Sequence, residues 1–134
     1  MPGRGTSTGS GKELEDRVAA VAESLGLTVR RQVRVGRRIW GALREIDVVI
    51  GDQNHRRLGV ECKYQAMGGS AEEKIPATID DIAAWPIPGV VVFEGEGFSA
   101  NMRAFLISTG KAVEFEDIEP WLRLFFGLEL DSSG

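Results

Sequence analysis

The chain has 134 residues, enough for one hydrophobic core and little else. Its 43% hydrophobic and 27% charged residues are ordinary for a globular protein; the longest apolar runs are too short to cross a bilayer and no signal-peptide pattern opens the chain, so a cytoplasmic protein is expected. One cysteine, Cys62, excludes an intrachain disulfide, and one Cys with one His excludes a zinc centre or a Cys/His nucleophilic pair. The net charge of −4 is unevenly spread: residues 1–65 hold 12 Lys/Arg against 8 Asp/Glu, and residues 66–134 hold 4 against 12. That asymmetry predicts one face able to meet phosphate and another that stays in solvent, although a solvated basic hairpin accounts for the charge equally well.

Residues 1–11 (MPGRGTSTGSG) lack hydrophobic periodicity and read as a flexible tail. A helix is predicted from Lys12 to Leu25, because Leu14, Val18, Val21 and Leu25 form one apolar stripe, with Gly26 as its stop. Thr28–Val35 reads as a strand carrying valines among arginines, and Gly36 and Gly41 bracket a turn or wide loop containing Trp40. Arg44–Ile50 and Leu58–Gln65 are the next strands, joined through GDQNHRR as an antiparallel hairpin. Ala71–Ala84 is predicted helical with Pro76 near its first turn, and Gly89–Glu94 is a short apolar strand of the fully buried type. Ser99 can cap a helix ending near Ser108, Lys111–Phe115 is a last short strand, and Ile118–Phe126 is a closing helix. Residues 131–134 read as a C-terminal tail, leaving 12–130 as one folded unit. The order α-β-β-β-α-β-α-β-α predicts an α/β protein with a mixed central sheet flanked by helices.

Strand alternation concentrates the chemistry. In REIDVVI (44–50), Glu45, Asp47 and Val49 share one face and Ile46, Val48 and Ile50 the other; in GVECKYQ (59–65), Glu61, Lys63 and Gln65 share the first face and Val60, Cys62 and Tyr64 the second. A turn centred near Asn54 sets Asp47 opposite Glu61 and Glu45 opposite Lys63. Clustered carboxylates repel, so such a patch calls for a cation, and Mg²⁺ or Mn²⁺ supplies hard-metal compensation together with phosphate-ester chemistry. Cys62 and Tyr64 are expected to pack inward.

Asp47, thirteen intervening residues, then Glu61-Cys62-Lys63 on a hairpin behind an acidic helix resembles the PD-(D/E)XK nucleases, over Glu15 to about Ser108. Ile46 stands where the motif's name has proline. The resemblance implies a restriction-endonuclease-like core, Asp47 and Glu61 as metal ligands, Lys63 as the catalytic lysine, and hydrolysis of DNA that leaves 5′-phosphate ends. Many members carry a further glutamate on the first helix. Glu15 lies roughly 80° from the centre of the apolar stripe and Glu13 roughly 120° on the other flank, so Glu15 is chosen as the additional ligand. Gln65 joins the catalytic set by parity. Arg30, Arg31, Arg34, Arg37, Arg38, Arg56 and Arg57 are candidates for DNA phosphates. GGSAEEKIP (68–76) resembles a segment that follows the catalytic strand in some phage and restriction-type nucleases, which makes Lys74 a DNA contact and Ser70 a cap, with a plain surface lysine as the alternative. The expected partners are DNA and a second copy of the chain in a homodimer, with no nucleotide cofactor. A Holliday-junction resolvase, a non-catalytic DNA-binding module and a plain ion-pair network are the rival readings.

Overall fold

Apolar residues recurring every three or four positions build the first helix, α1 (Gly11–Ser24), on which Leu14, Val18 and Ala22 are fully buried. The computed structural model describes residues 11–37, 43–65 and 71–129, apart from the side chains of Arg37, Leu43 and residues 71–75. The expectations for the two tails, Arg38, Trp40, Ser70 and the side chains of Arg37 and Lys74 lie outside the described residues. None of the described helices is long and apolar enough to cross a membrane.

After α1 the chain forms β1 (Thr28–Arg37), β2 (Leu43–Gly51) and β3 (Arg57–Tyr64). It crosses through α2 (Ala71–Ala83) to β4 (Gly89–Glu94) and through α3 (Ala100–Ser108) to β5 (Ala112–Glu114); a 3-10 turn (Phe115–Asp117) leads into α4 (Ile118–Phe126). The sheet order is β1-β2-β3-β4-β5, antiparallel across the first two junctions and parallel across the last two. This is the mixed α/β architecture expected for a restriction-endonuclease-like core. Two boundaries differ in kind from expectation. Phe115 leaves the last strand for the 3-10 turn, and Pro76 lies six residues into α2, inside its second turn.

Helices cover both faces of the sheet, so its central strands are apolar on both sides. Val48, Ile50, Leu58, Val60, Cys62, Val90 and Val92 pack with Leu14, Val18 and Ala22 of α1 and with Ile118, Leu122 and Phe126 of α4. On the other face Val91 packs with Ile82 and Trp85 beside α2, and Phe93 packs with Leu106 of α3 and with Phe98. Trp85 determines two glycines. Gly59 and Gly89 are partners across β3 and β4, and a β-carbon on either would come within 2.7 Å of the indole ring. At the far end of β4, Gly95 (φ +121°) passes so close to β3 that a β-carbon would lie 2.1 Å from the Gln65 carbonyl oxygen.

The β1–β2 ladder is irregular at two places, a register shift between Arg34 and Gly36 and a break in alternation at Gln32. The β1–β2 ladder pairs Arg31 with Val48 and Val33 with Ile46 but omits the intervening step, Gln32 opposite Asp47. Gln32 has φ +50°, the left-handed region that side chains other than glycine rarely occupy. Val29 packs on the α1 side of the sheet, whereas Val33 and Val35 pack on the α2 side. Ile46 likewise joins Val49 on the α2 side while Val48 and Ile50 face α1. The expectation that Ile46 shares a face with Val48 and Ile50 is thereby corrected, because simple parity does not survive the break at Asp47.

Candidate active site

The β2–β3 ladder runs from Gly51↔Arg57 to Val48↔Val60, so Asp47 and Glu61 come next in register, at the point where the ladder stops. Beyond that point the side chain of Asp47 takes the place of a backbone partner. The Cys62 amide donates to Asp47 Oδ2 at 3.2 Å, which ties the carboxylate to the strand that carries Glu61 and Lys63. Lys63 Nζ lies 3.6 Å from Glu61 Oε2.

Burial is what makes this cluster electrostatically costly. It raises the pKa of Asp47, against the Cys62 amide and the Lys63 charge, with Glu45 adding repulsion. Glu61 is pushed up to about 7, first by burial and then by the Asp47 charge, with Lys63 opposing. Cys62 itself is a buried member of the α1-side core, and burial pushes its thiol up, so it is packing rather than a nucleophile.

Glu15 reaches the same region from α1. Its pKa is raised by burial and next by Asp47, and lowered by Arg31. Gln32 Nε2 donates to Glu15 Oε1 at 3.2 Å, and Arg31 lies 3.6 Å from the same oxygen. Glu13 points elsewhere. It lines a cavity of about 720 Å³ with Arg17, Tyr64, Glu94, Arg103 and Glu114, at the ends of the parallel strands. Two helix acids two residues apart therefore serve different places, and Glu15 is the one whose carboxyl responds to the Asp47 charge.

The remaining expectations divide. Gln65 is buried, its amide nitrogen donates to the Gly97 carbonyl at 3.1 Å, and its backbone clasps Glu94 and Gly97, so it anchors the loop after β4. Arg31 is engaged by Asp16 at 2.6 Å as well as by Glu15. Arg56 donates to the Phe125 carbonyl at 2.8 Å and lies over the Phe125 and Phe126 rings, which commits it to α4. Arg30, Arg34 and Arg57 are exposed.

Three residues beside Glu61 escaped the sequence reading. Arg44, Thr78 and Asp81 line a small pocket with Glu45, Glu61 and Trp85, and Arg44 lies 3.8 Å from Asp81. Only the crossover places α2 there, and nothing in the spacing of Thr78 and Asp81 announces it.

Among the described residues no three His, Cys, Asp or Glu side chains are gathered closely enough to enclose an ion. The donor set nonetheless suits a hard divalent cation. Mg²⁺ keeps several waters and takes only one or two carboxylates alongside substrate phosphate, and two buried, mutually repelling acids gain from such a charge.

A sequence model of the PD-(D/E)XK nuclease superfamily domain matches residues 6–121. No curated protein matches the chain. Among solved structures, the crystal structure of AF1548, a protein of unknown function, is similar over 76% of this chain and 56% of its own, with 19% identity and a TM-score of 0.53. The chain spans about half the length of that protein, and the likeness concerns the fold.

Proposed function

Because this chain belongs to the PD-(D/E)XK nuclease superfamily, we propose that it is a metal-dependent endonuclease that hydrolyses DNA phosphodiesters. The observation that carries this reading is the meeting of Asp47, Glu61 and Lys63 where the β2–β3 ladder ends.

Asp47 and Glu61, with Glu15 approaching from α1, would hold Mg²⁺ or Mn²⁺, which when bound would polarise the scissile phosphate and make a water molecule more acidic. Lys63 holds the attacking water by hydrogen bonding and offsets the negative charge that builds on the phosphate during attack. The water oxygen bonds to phosphorus as the bond to the 3′ oxygen breaks, leaving a 5′-phosphate. Asp47 is kept in place by the Cys62 amide, so its orientation comes from the backbone of the strand that bears the other two groups.

Exposed Arg30 and Arg34 on β1 are the proposed phosphate contacts, with Arg57 at the start of β3, which also donates to the Arg56 carbonyl, whereas Arg56 and Arg31 are held by partners on α4 and α1. With one such centre per chain, cutting both strands of a duplex calls for two copies, and a homodimer belongs to this proposal.

The test is cleavage of plasmid, linear duplex, single-stranded and four-way-junction DNA with Mg²⁺, Mn²⁺ or EDTA, beside Asp47→Ala and Lys63→Ala proteins. Metal-dependent cutting lost in both variants supports the reading, and a preference for the junction would identify a resolvase. DNA bound equally well in EDTA with no cutting of any substrate would replace it with a non-catalytic binding module. Sedimentation with and without DNA checks the dimer.

A further inference from the structure

Gln32 occupies a position in β1 where an ordinary strand residue would point away from α1. Its neighbours in sequence show why. Arg31 reaches Asp16 and Glu15 on α1, so by alternation residue 32 belongs on the opposite face. Instead its backbone turns to φ +50°, and its side chain reaches the α1 side as well, donating to Glu15 Oε1 at 3.2 Å. Two consecutive residues of one strand thus converge on a single oxygen of Glu15.

The same conformation acts on the facing strand. The step Gln32 opposite Asp47 is missing from the ladder, and both strands change faces there: Val29 and Val48 pack toward α1, Val33 and Ile46 toward α2. Asp47 is left outside the regular pairing on its β1 side and accepts the Cys62 amide on its β3 side. A left-handed, non-glycine residue inside a strand is unfavourable, and it persists only where the surrounding structure requires it; such residues gather at functional sites.

We propose that Gln32 is a positioning residue of the active centre: its left-handed backbone releases Asp47 from the ladder, and its amide orients Glu15 toward Asp47. It touches neither DNA nor the reacting atoms; it acts through the two carboxylates. The inference rests on the metal-dependent nuclease reading above and adds to it the element that sets the acids' geometry.

Backbone and side-chain roles can be separated, because glycine adopts φ +50° without strain but has no amide to offer Glu15. Gln32→Gly and Gln32→Asn, the second tolerant of the left-handed region but with an amide one methylene shorter, are compared with wild type and Asp47→Ala. The readouts are thermal midpoint, Mn²⁺ affinity by calorimetry, and kcat and KM on supercoiled plasmid. Gln32→Gly should melt at or above the wild-type temperature yet bind Mn²⁺ about 3- to 10-fold more weakly, with kcat lowered about 10-fold and KM for DNA unchanged. Gln32→Asn should show the same pattern, which keeps the comparison available if one variant folds poorly. If wild type binds Mn²⁺ in a manner lost in Asp47→Ala, while both Gln32 variants bind Mn²⁺ and cut as wild type does, the inference is overturned and the nuclease reading stands. If wild type itself neither binds Mn²⁺ through Asp47 nor cuts DNA, both fall together.

Discussion

The two ends of the sheet obey different rules. In the parallel part, β3 and β4 pair residue for residue from Gly59↔Gly89 to Tyr64↔Glu94, and alternate side chains of β4 enter the two cores without exception: Val90 and Val92 toward α1 and α4, Val91 and Phe93 toward α2 and α3. In the antiparallel part, β1 and β2 lose alternation at Gln32 and Asp47 and shift register between Arg34 and Gly36, and the candidate acid Asp47 sits at the first of these faults. The regular part is built for packing, with glycines where Trp85 and Gln65 press close. The irregular part gives up a ladder step at Asp47, whose carboxylate instead accepts the Cys62 amide of β3. The contrast teaches that in this fold the rigid frame and the chemistry share one strand, β3, whose core-facing Cys62 and polar Glu61 and Lys63 belong to both.

The largest effect is expected at the candidate site itself. Lys63→Ala should lower cleavage on the order of 10²- to 10³-fold at saturating DNA, while the thermal midpoint changes little. Unaltered cleavage would remove Lys63 from the mechanism. In the regular part the loss should be of stability. Gly95→Ala forces a β-carbon against the Gln65 carbonyl at a backbone angle that alanine resists, and should cost roughly 3 kcal/mol or more in denaturant unfolding. Gly59→Ala, which pushes on the Trp85 ring, should cost roughly 1–3 kcal/mol by the same measurement.

A pH series sharpens the comparison further. Glu61 has a folded pKa of about 7, above its ordinary value of 4.5, so between these values the folded chain binds more protons than the unfolded one. In EDTA, stability should therefore be highest at the acidic end of that window and fall as pH rises through it, by up to about 3 kcal/mol. Mn²⁺ competes with that proton, so its affinity should rise over the same window. A Mn²⁺ affinity independent of pH from 5 to 8 would mean that Glu61 is not a ligand. The smallest effect separates two arginines. Arg56→Ala should cost about 1 kcal/mol through its lost bond to the Phe125 carbonyl without changing the salt dependence of DNA binding. Arg34→Ala should leave stability unchanged and reduce the salt slope by about one phosphate contact.

Much of the site was legible because its signals are local. Asp47 and Glu61 could be set opposite one another from the length of the GDQNHRR turn, and the Val48↔Val60 pairing has that register. Glu15 could be separated from Glu13 by angle around the helix, and in the fold Glu13 lines the cavity at the ends of the parallel strands while the Asp47 charge acts on Glu15. Gln65 shows the limit of parity: it has the right alternation for the acidic patch, yet the strand ends at Tyr64 and its amide turns to the Gly97 carbonyl. Arg56 shows a second limit, since charge alone does not reveal that the C-terminal end of α4 supplies its partner.

By itself the sequence determined the element order, the mixed sheet, the family motif and the pairing of the β2–β3 hairpin, because periodicity, turn length and residue chemistry act between neighbours in the chain. Tertiary structure alone decided which face Ile46 takes, that Gln32 leaves the β region to meet Glu15, and that Arg44 and Asp81 stand beside Glu61. Those outcomes depend on how α1 and α2 press on opposite faces of the sheet, and no local propensity encodes a contact between residues that only the packed fold brings together.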